Sequence, residues 1–284
     1  TITRFSSKGP ERSLLSIEAA TDVSFMRPFI EAFQASNPGV TVIYVDFISS
    51  IQSARARSAC DHRATTADIY LTVATDSLVK LANDGCAAAL PKRIMRNLPD
   101  WAQWRGEVLA FSLEPAVFVY NTDVVAVASV PVDHLELIEK LRSAPLTWRR
   151  KLGTYDIEDS GSGYLYAGVD ARQQATYGRL IESFGRSEVR TFCCSNAMVS
   201  AVARRDILLA YNVQMSYASA AKRAGEPIGI VVPRDYQAVL TRSVMVTRDA
   251  PHRDLANSFI EFLISPRGQA IASQQLAPFD GPTV

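Results

Sequence analysis

The sequence has little of what most catalytic and metal centres draw on. It holds three histidines, His62, His134 and His252, and four cysteines, Cys60, Cys86, Cys193 and Cys194. No two cysteines are spaced CxxC and no histidine stands at ligand spacing from them, so the common zinc patterns find no footing. A GxSxG elbow, a phosphate-binding GxxxxGK[ST] loop and an HExxH helix are all missing, which leaves the familiar hydrolase and nucleotide-hydrolase readings without an anchor. Each histidine falls at or beside a predicted helix end, where a surface role is the default. Glu114 and Glu158 could meet as a carboxylate pair, but nothing in their spacing demands it. No metal or cofactor is expected, and no enzyme. No run of 18 apolar residues occurs, hence no predicted membrane-spanning helix. Neither charge is in excess: 30 basic and 29 acidic residues leave a net charge of +1. No bulk field favours nucleic acid or membrane, and affinity for an anion has to come from a local site.

What is present is an ordinary globular composition, 48% hydrophobic and 21% charged over 284 residues, long enough to bury two cores. Cysteine often behaves as a small hydrophobe, so four free thiols are the expectation, with a Cys60–Cys86 bridge as the alternative in an oxidising compartment. The first twelve residues are polar and lack an apolar signal core. If the protein is exported, the numbering begins after the signal has been removed.

Hydrophobic periodicity alternates between two and 3.6 along the first third. Residues 13–20 read as a buried strand. A helix follows, capped by Thr21 or Asp22, with Phe25, Phe29, Ile30 and Phe33 on one face and Asn37-Pro38-Gly39 as its stop. Residues 40–47 and 67–73 read as further strands, separated by an arginine-bearing surface helix at 50–63. Thr75 or Asp76 opens the next helix, with Leu78 and Leu81 inward. Such a βαβαβ run builds a parallel sheet covered by helices. After a strand at 114–120 and a helix at 133–143, with Asp133 and Glu136 as an acidic capping box and Leu135, Ile138 and Leu141 as its stripe, a second α/β series occupies 151–232. A β-rich run at 237–247 and helices from 252 and from Ser265-Pro266 close the chain. The expected fold class is α/β, with two doubly wound lobes, and doubly wound units bind ligands at the carboxyl ends of their strands.

The segment most informative for function is 154–164, TYDIEDSGSGY. A glycine-rich turn between strand and helix offers backbone N–H groups backed by the helix dipole, a cradle for an anion. Here Ser160 and Ser162 add hydroxyls, Gly161 and Gly163 admit close approach, and Tyr155 precedes them. Taken alone, such a turn can equally be a plain helix cap. Thr21 and Thr75 hold the corresponding places after earlier strands, with the same ambiguity between cap and ligand contact. Asn212, Gln214 and Tyr217 follow a later strand and offer neutral hydrogen-bonding groups suited to an oxygen-rich organic ligand. Trp101, Trp104 and Arg105 are read as surface aromatic packing beside an arginine, and Arg149-Arg150-Lys151 as a solvated basic run.

Five segments carry a resemblance: SIEAATD (16–22), FIEAFQASNPGVTVIYV (29–45), ADIYLTVATDSLVKLANDGCA (67–87), EPAVFVYN (114–121) and FIEFLISPRGQAIAS (259–273). In this order and spacing the chain resembles the periplasmic solute-binding proteins of ABC-type uptake systems with the type II two-lobe fold, nearest the branch of ferric-ion-binding and hexose-phosphate-binding proteins. The resemblance implies one lobe from 1–113 plus 235–284 and another from 114–234, with a ligand cleft between them and hinge closure on the ligand. It also implies delivery to a membrane permease, a periplasmic location and a monomer. It strengthens the anion reading of the Ser-Gly turn. The expected ligand is a small organic anion, a di- or tricarboxylate such as citrate or a sugar phosphate. A ligand sensor feeding a sensor kinase is the alternative, and a ferric-ion carrier a second one. The ferric branch carries adjacent tyrosines where this chain has Tyr211 and Tyr217 apart, which disfavours iron.

Overall fold

The computed structural model describes residues 1–64, 66–96 and 98–275. The chain divides into two compact units. Thr1–Leu113 and the chain from Thr241 onward form unit 1, and Glu114–Leu240 form unit 2.

Unit 1 opens with strands β1 (Ile2–Phe5) and β2 (Ser13–Ala19), helix α1 (Val23–Ser36), strand β3 (Val40–Asp46), helix α2 (Ser49–Asp61), strand β4 (Ile69–Thr72) and helices α3 (Thr75–Asn83) and α4 (Lys92–Met95). The short strand β5 (Gln103–Trp104) precedes β6 (Val108–Asn121), which carries the chain into unit 2. β3, β2 and β4 are parallel neighbours, whereas β1 runs antiparallel to β3. The stripe predicted for α1 is the buried one: Phe25, Phe29, Ile30 and Phe33 are at most 5% exposed, each worth roughly 1.5–3 kcal/mol of burial. Strand β1 lies in a segment whose polar composition predicts no strand. Its residues alternate in burial along a sheet edge, where period-two patterning over four residues is too short to read.

Unit 2 contains helices α5 (His134–Ser143) and α6 (Pro145–Trp148), strand β7 (Leu152–Tyr155), helices α7 (Gly161–Ala171) and α8 (Gln174–Arg186), strand β8 (Arg190–Phe192), helix α9 (Ser195–Ala203), strand β9 (Leu209–Gln214), helix α10 (Met215–Arg223) and strand β10 (Ile228–Val231). β7 pairs in parallel with both β8 and β9, and β6 runs antiparallel to β9 and β10. Two apolar clusters back this sheet. One gathers Tyr155, Tyr166, Met198 and Val213, and the other Phe118, Leu152, Leu180 and Tyr211. Strand β11 (Val239–Val246) returns to unit 1 and pairs antiparallel with β4, followed by α11 (Arg253–Ile264) and α12 (Pro266–Gln275). The return crossover falls at 240/241 rather than the expected 234/235, because the segment before it stays on unit 2: Ala116 N–H donates to the Ala238 carbonyl and Gln237 Nε2 to that of Ala116.

Several sequence expectations need correction. Leu135 is 45% exposed, and the inward stripe of α5 is instead Leu137, Ile138 and Leu141. His134 is not at the surface: it is 1% exposed, its Nδ1 is 2.8 Å from Asp235 Oδ1, and it stacks on Tyr236 at 3.8 Å. Asp133 does cap α5, accepting from Glu136 N–H. Asp22 occupies the N-cap of α1 without a side-chain cap bond, and Ala74 rather than Thr75 or Asp76 holds that of α3. The expectation of four free thiols fails at Cys60 and Cys86, which are bonded to each other. The bridge joins the end of α2 to the turn after α3, with Cα atoms 5.6 Å apart, inside the ordinary range for a disulfide.

Candidate functional site

Strand β7 ends at Tyr155 and helix α7 begins at Gly161, so the Ser-Gly turn does sit at the carboxyl end of a central parallel strand. Ser160 is the N-cap. Its Oγ accepts from Gly163 N–H at 3.1 Å and lies 3.2 Å from Ser162 Oγ. Cap and cradle therefore compete for the same groups: Gly163 N–H is spent on Ser160, and Ser162, 8% exposed, keeps the hydroxyl with more latitude. Gly163 also has a packing reason to be glycine. A Cβ there would lie 2.3 Å from Tyr155 Cβ.

Tyr155 is buried, and its hydroxyl is bonded to Ser195 Oγ, which also accepts from Gln214 N–H at 3.1 Å. Burial pushes the Tyr155 phenol well above its ordinary range, so it serves as a neutral hydroxyl. The end of β7 and the starts of α9 and α10 are thus tied together through Tyr155, Ser195 and Gln214. The sequence reading missed Ser195, although a serine opening a helix after a strand is a signal of the same kind as Ser160. The side-chain amide of Gln214 is 7% exposed overall and has no hydrogen-bond partner among the described residues. Tyr217 packs, half-buried, on the cluster around Met198.

Asn212 is differently employed. Its Nδ2 and the Tyr211 hydroxyl both donate to Asp170 Oδ2 at 2.9 Å, while Tyr236 donates to Oδ1. Asn212 adopts φ 56°, left-handed backbone that asparagine tolerates better than most residues. It supports the site from within. Burial raises the pKa of Asp170, partly offset by the bonds from Tyr236, Tyr211 and Asn212, and burial with the adjacent Asp170 charge raises that of Tyr211 well above the usual phenol. Glu114 is committed to Ser216, accepting from its N–H and its hydroxyl, so it does not pair with the exposed Glu158.

In unit 1, Thr75 Oγ lies 2.9 Å from Ser243 Oγ and 3.1 Å from Thr241 Oγ. Thr21 Oγ accepts from Arg242 Nε at 3.2 Å, and its carbonyl accepts from the Tyr44 hydroxyl. Arg242 is wholly buried, with its guanidinium 6.0 Å from the Phe25 ring centroid. Sequence reading passed over it as part of a β-rich run. The signal was an arginine inside TRSVMV, since a cation in a buried strand needs a stated reason to be there. Burial raises the pKa of Asp76, partly offset by backbone hydrogen bonds from Ser77 and Asp76 itself. Trp104 and Arg105 both donate to Asn83 Oδ1 at the surface, as read from the sequence.

The sequence matches the model of a family described as bacterial extracellular solute-binding protein over residues 29–280. No curated protein matches it. Among solved structures, the substrate-binding protein of an ABC transporter from Agrobacterium tumefaciens is 31% identical at a TM-score of 0.93, covering 97% of this chain and 82% of that one. AfuA of Actinobacillus pleuropneumoniae, a periplasmic binding protein solved with fructose-6-phosphate, is 16% identical at a TM-score of 0.80, with coverage of 96% and 88%. Iron-bound HitA of Pseudomonas aeruginosa is 16% identical at 0.74, with coverage of 96% and 94%. The last two share the two-lobe fold.

Proposed function

Because this chain belongs to the bacterial extracellular solute-binding proteins of the kind that serve ABC transporters, we propose that its solute is a small organic anion, a di- or tricarboxylate or a sugar phosphate, handed to a membrane permease. What carries this reading is the gathering of uncharged donors at the β7–α7 turn. Ser162 and Gln214 stand beside the Tyr155–Ser195 pair, at the N-terminal ends of α7 and α10. Neutral hydroxyls and amides, backed by helix dipoles, hold oxyanions without the desolvation that a buried ion pair entails.

The test is a thermal-shift screen with citrate, fructose-6-phosphate and fructose. A ligand at 100 times its Kd adds about 2.7 kcal/mol to stability, so the anions should raise Tm while the neutral sugar does not. Ser162→Ala should then weaken the preferred anion about ten- to a hundredfold by calorimetry, the worth of one hydrogen bond to a charged group. Folding should be almost unchanged, because Ser160 and not Ser162 is the cap. An unaltered affinity in Ser162→Ala, or a shift by fructose alone, would count against the reading.

Ferric iron is not the proposed solute. The positions that resemble the adjacent tyrosines of the ferric branch are Tyr211 and Tyr217, which are not adjacent here. Tyr211 donates its proton to a buried carboxylate and resists ionisation. Equimolar ferric iron with citrate present is therefore expected to give no phenolate-to-iron absorption band in the visible spectrum.

A further inference from the structure

Unit 2 carries a pocket of about 530 Å³, open to solvent, between α7 and α8 and beside β7 and β9. Tyr155 and Gly163 border it together with the turn after β7, Asn212 with β9, and α8, which contributes nothing to the Ser-Gly turn, supplies a further part of its wall. Leu180, Ile181 and Phe184 line it from α8, Ala167 from α7, and Val189 from the approach to β8. Tyr166, Tyr177 and Tyr211 present aromatic rings to the same space. A volume of this order, apolar with a few polar groups, is typical of sites for drug-sized molecules, roughly 300–1,000 Å³.

The charged side chains of the lining are all of one sign. Asp170 is buried, while Asp156 and Glu158 belong to the turn after β7, and no lysine, arginine or histidine lines the cavity. Such a lining repels the anion proposed for the Ser-Gly turn and attracts a cation. Tyrosine faces add to that attraction through their ring quadrupoles. Ile157 and Ile181, 53% and 47% exposed, are further lining residues that present aliphatic surface to solvent. Gly185 lines the cavity as well, and a Cβ there would meet no atom within 4 Å. Gly185 is itself exposed, at the open side of the pocket.

We propose that this cavity is a second ligand site, taking an organic ammonium ion with an aromatic or aliphatic body. The body lies against Leu180, Phe184 and the tyrosine rings, and the ammonium group is held by the carboxylates of Asp156 and Glu158. The site is separate in chemistry from the anion site, so a single chain would respond to two solutes of opposite charge.

The experiment is calorimetry at low salt with three isosteres, 4-phenylbutylamine, 4-phenylbutanol and 4-phenylbutyrate. The amine should bind at least tenfold more tightly than the alcohol, and the acid not at all. Gly185→Phe, on ordinary helical backbone with open space before it, should abolish amine binding while keeping the organic-anion thermal shift. That retained shift separates failure here from failure at the turn. Ile181→Arg, on an exposed position, should weaken the amine about tenfold by placing a cation in the lining, whatever Gly185→Phe does to folding. The double variant Asp156→Asn and Glu158→Gln should weaken it severalfold, since an amide at 156 still accepts the Glu158 N–H that Asp156 Oδ1 accepts now. No binding of the amine, equal binding of amine and acid, or amine affinity unmoved by the folded variants would overturn the proposal.

Discussion

Asp170→Ala is expected to lower the unfolding free energy of unit 2 by about 2–6 kcal/mol. Two buried donors, the Tyr211 hydroxyl and Asn212 Nδ2, lose their shared acceptor, and each buried donor left unmatched costs about 1–3 kcal/mol. The third donor, Tyr236, is half-buried and can turn to water. Chemical denaturation of parent and variant measures the difference. The carboxylate also gives a pH signature. Its folded pKa is raised above the unfolded value, chiefly by burial, so the folded state holds this proton more tightly than the unfolded chain does. That contribution is complete below the ordinary aspartate range and is lost as pH rises through the raised value. The stability of the parent relative to Asp170→Asn should accordingly fall as pH rises from near the unperturbed aspartate pKa of about 3.9. A difference that grows over that rise would mean the carboxylate is held ionised.

Gly163→Ala is expected to destabilise unit 2 by about 3 kcal/mol, at the upper end of overpacking effects, and to reduce anion binding with it. The new Cβ would meet Cβ and Cγ of Tyr155 at 2.3 and 2.7 Å, atoms near the backbone that cannot swing aside as a chain end can. Either the ring or the first turn of α7 must move, and both belong to the proposed anion site. Gly168→Ala, on the same helix, is the control. A Cβ there meets nothing within 4 Å, so it should stabilise by roughly 0.5–1 kcal/mol. Paired melting curves would show opposite shifts. Two shifts of the same sign would remove the packing explanation for Gly163.

The contrast bears on how far the residues alone can be read. Gly163 is conspicuous in SGSG, but the string does not say whether the missing Cβ makes room for a ligand or for Tyr155, eight positions earlier. Most helices and strands were legible because their patterns are local: Phe25, Phe29, Ile30 and Phe33 state their own face. The Asp133–Glu136 cap is equally local, and the structure contains it. Leu135 misled because a stripe of period 3.6 fits two phases in a ten-residue helix rich in leucine, and only the neighbouring elements choose between them. His134, Asp170 and Asn212 carry a network whose partners lie far apart in sequence, up to 101 residues for His134 and Asp235. Nothing near any one of them announces the others. Arg242 could have been singled out, since a cation amid β-branched and apolar residues breaks the pattern around it. The turn at 160–163 was found because strand, glycine, serine and helix follow one another in the chain. Thr75 was singled out in the same way, but its hydroxyl partners Thr241 and Ser243 were not, because β4 and β11 bring them together across more than half the chain's length.

The Cys60–Cys86 bridge ties the stability of unit 1 to the place where the chain matures. It closes a loop with a sequence separation of 26, and a cross-link of that span limits the unfolded chain by about 3–4 kcal/mol on the loop-entropy scale. Protein accumulated in a reducing cytoplasm would forgo that increment in unit 1. Material recovered from such a host and from an oxidising one would be the same sequence with two different melting temperatures, and treatment with dithiothreitol should convert the higher into the lower. A recombinant preparation intended for ligand screening is therefore best made by secretion. Otherwise a weak thermal shift would report the missing cross-link and not the missing solute.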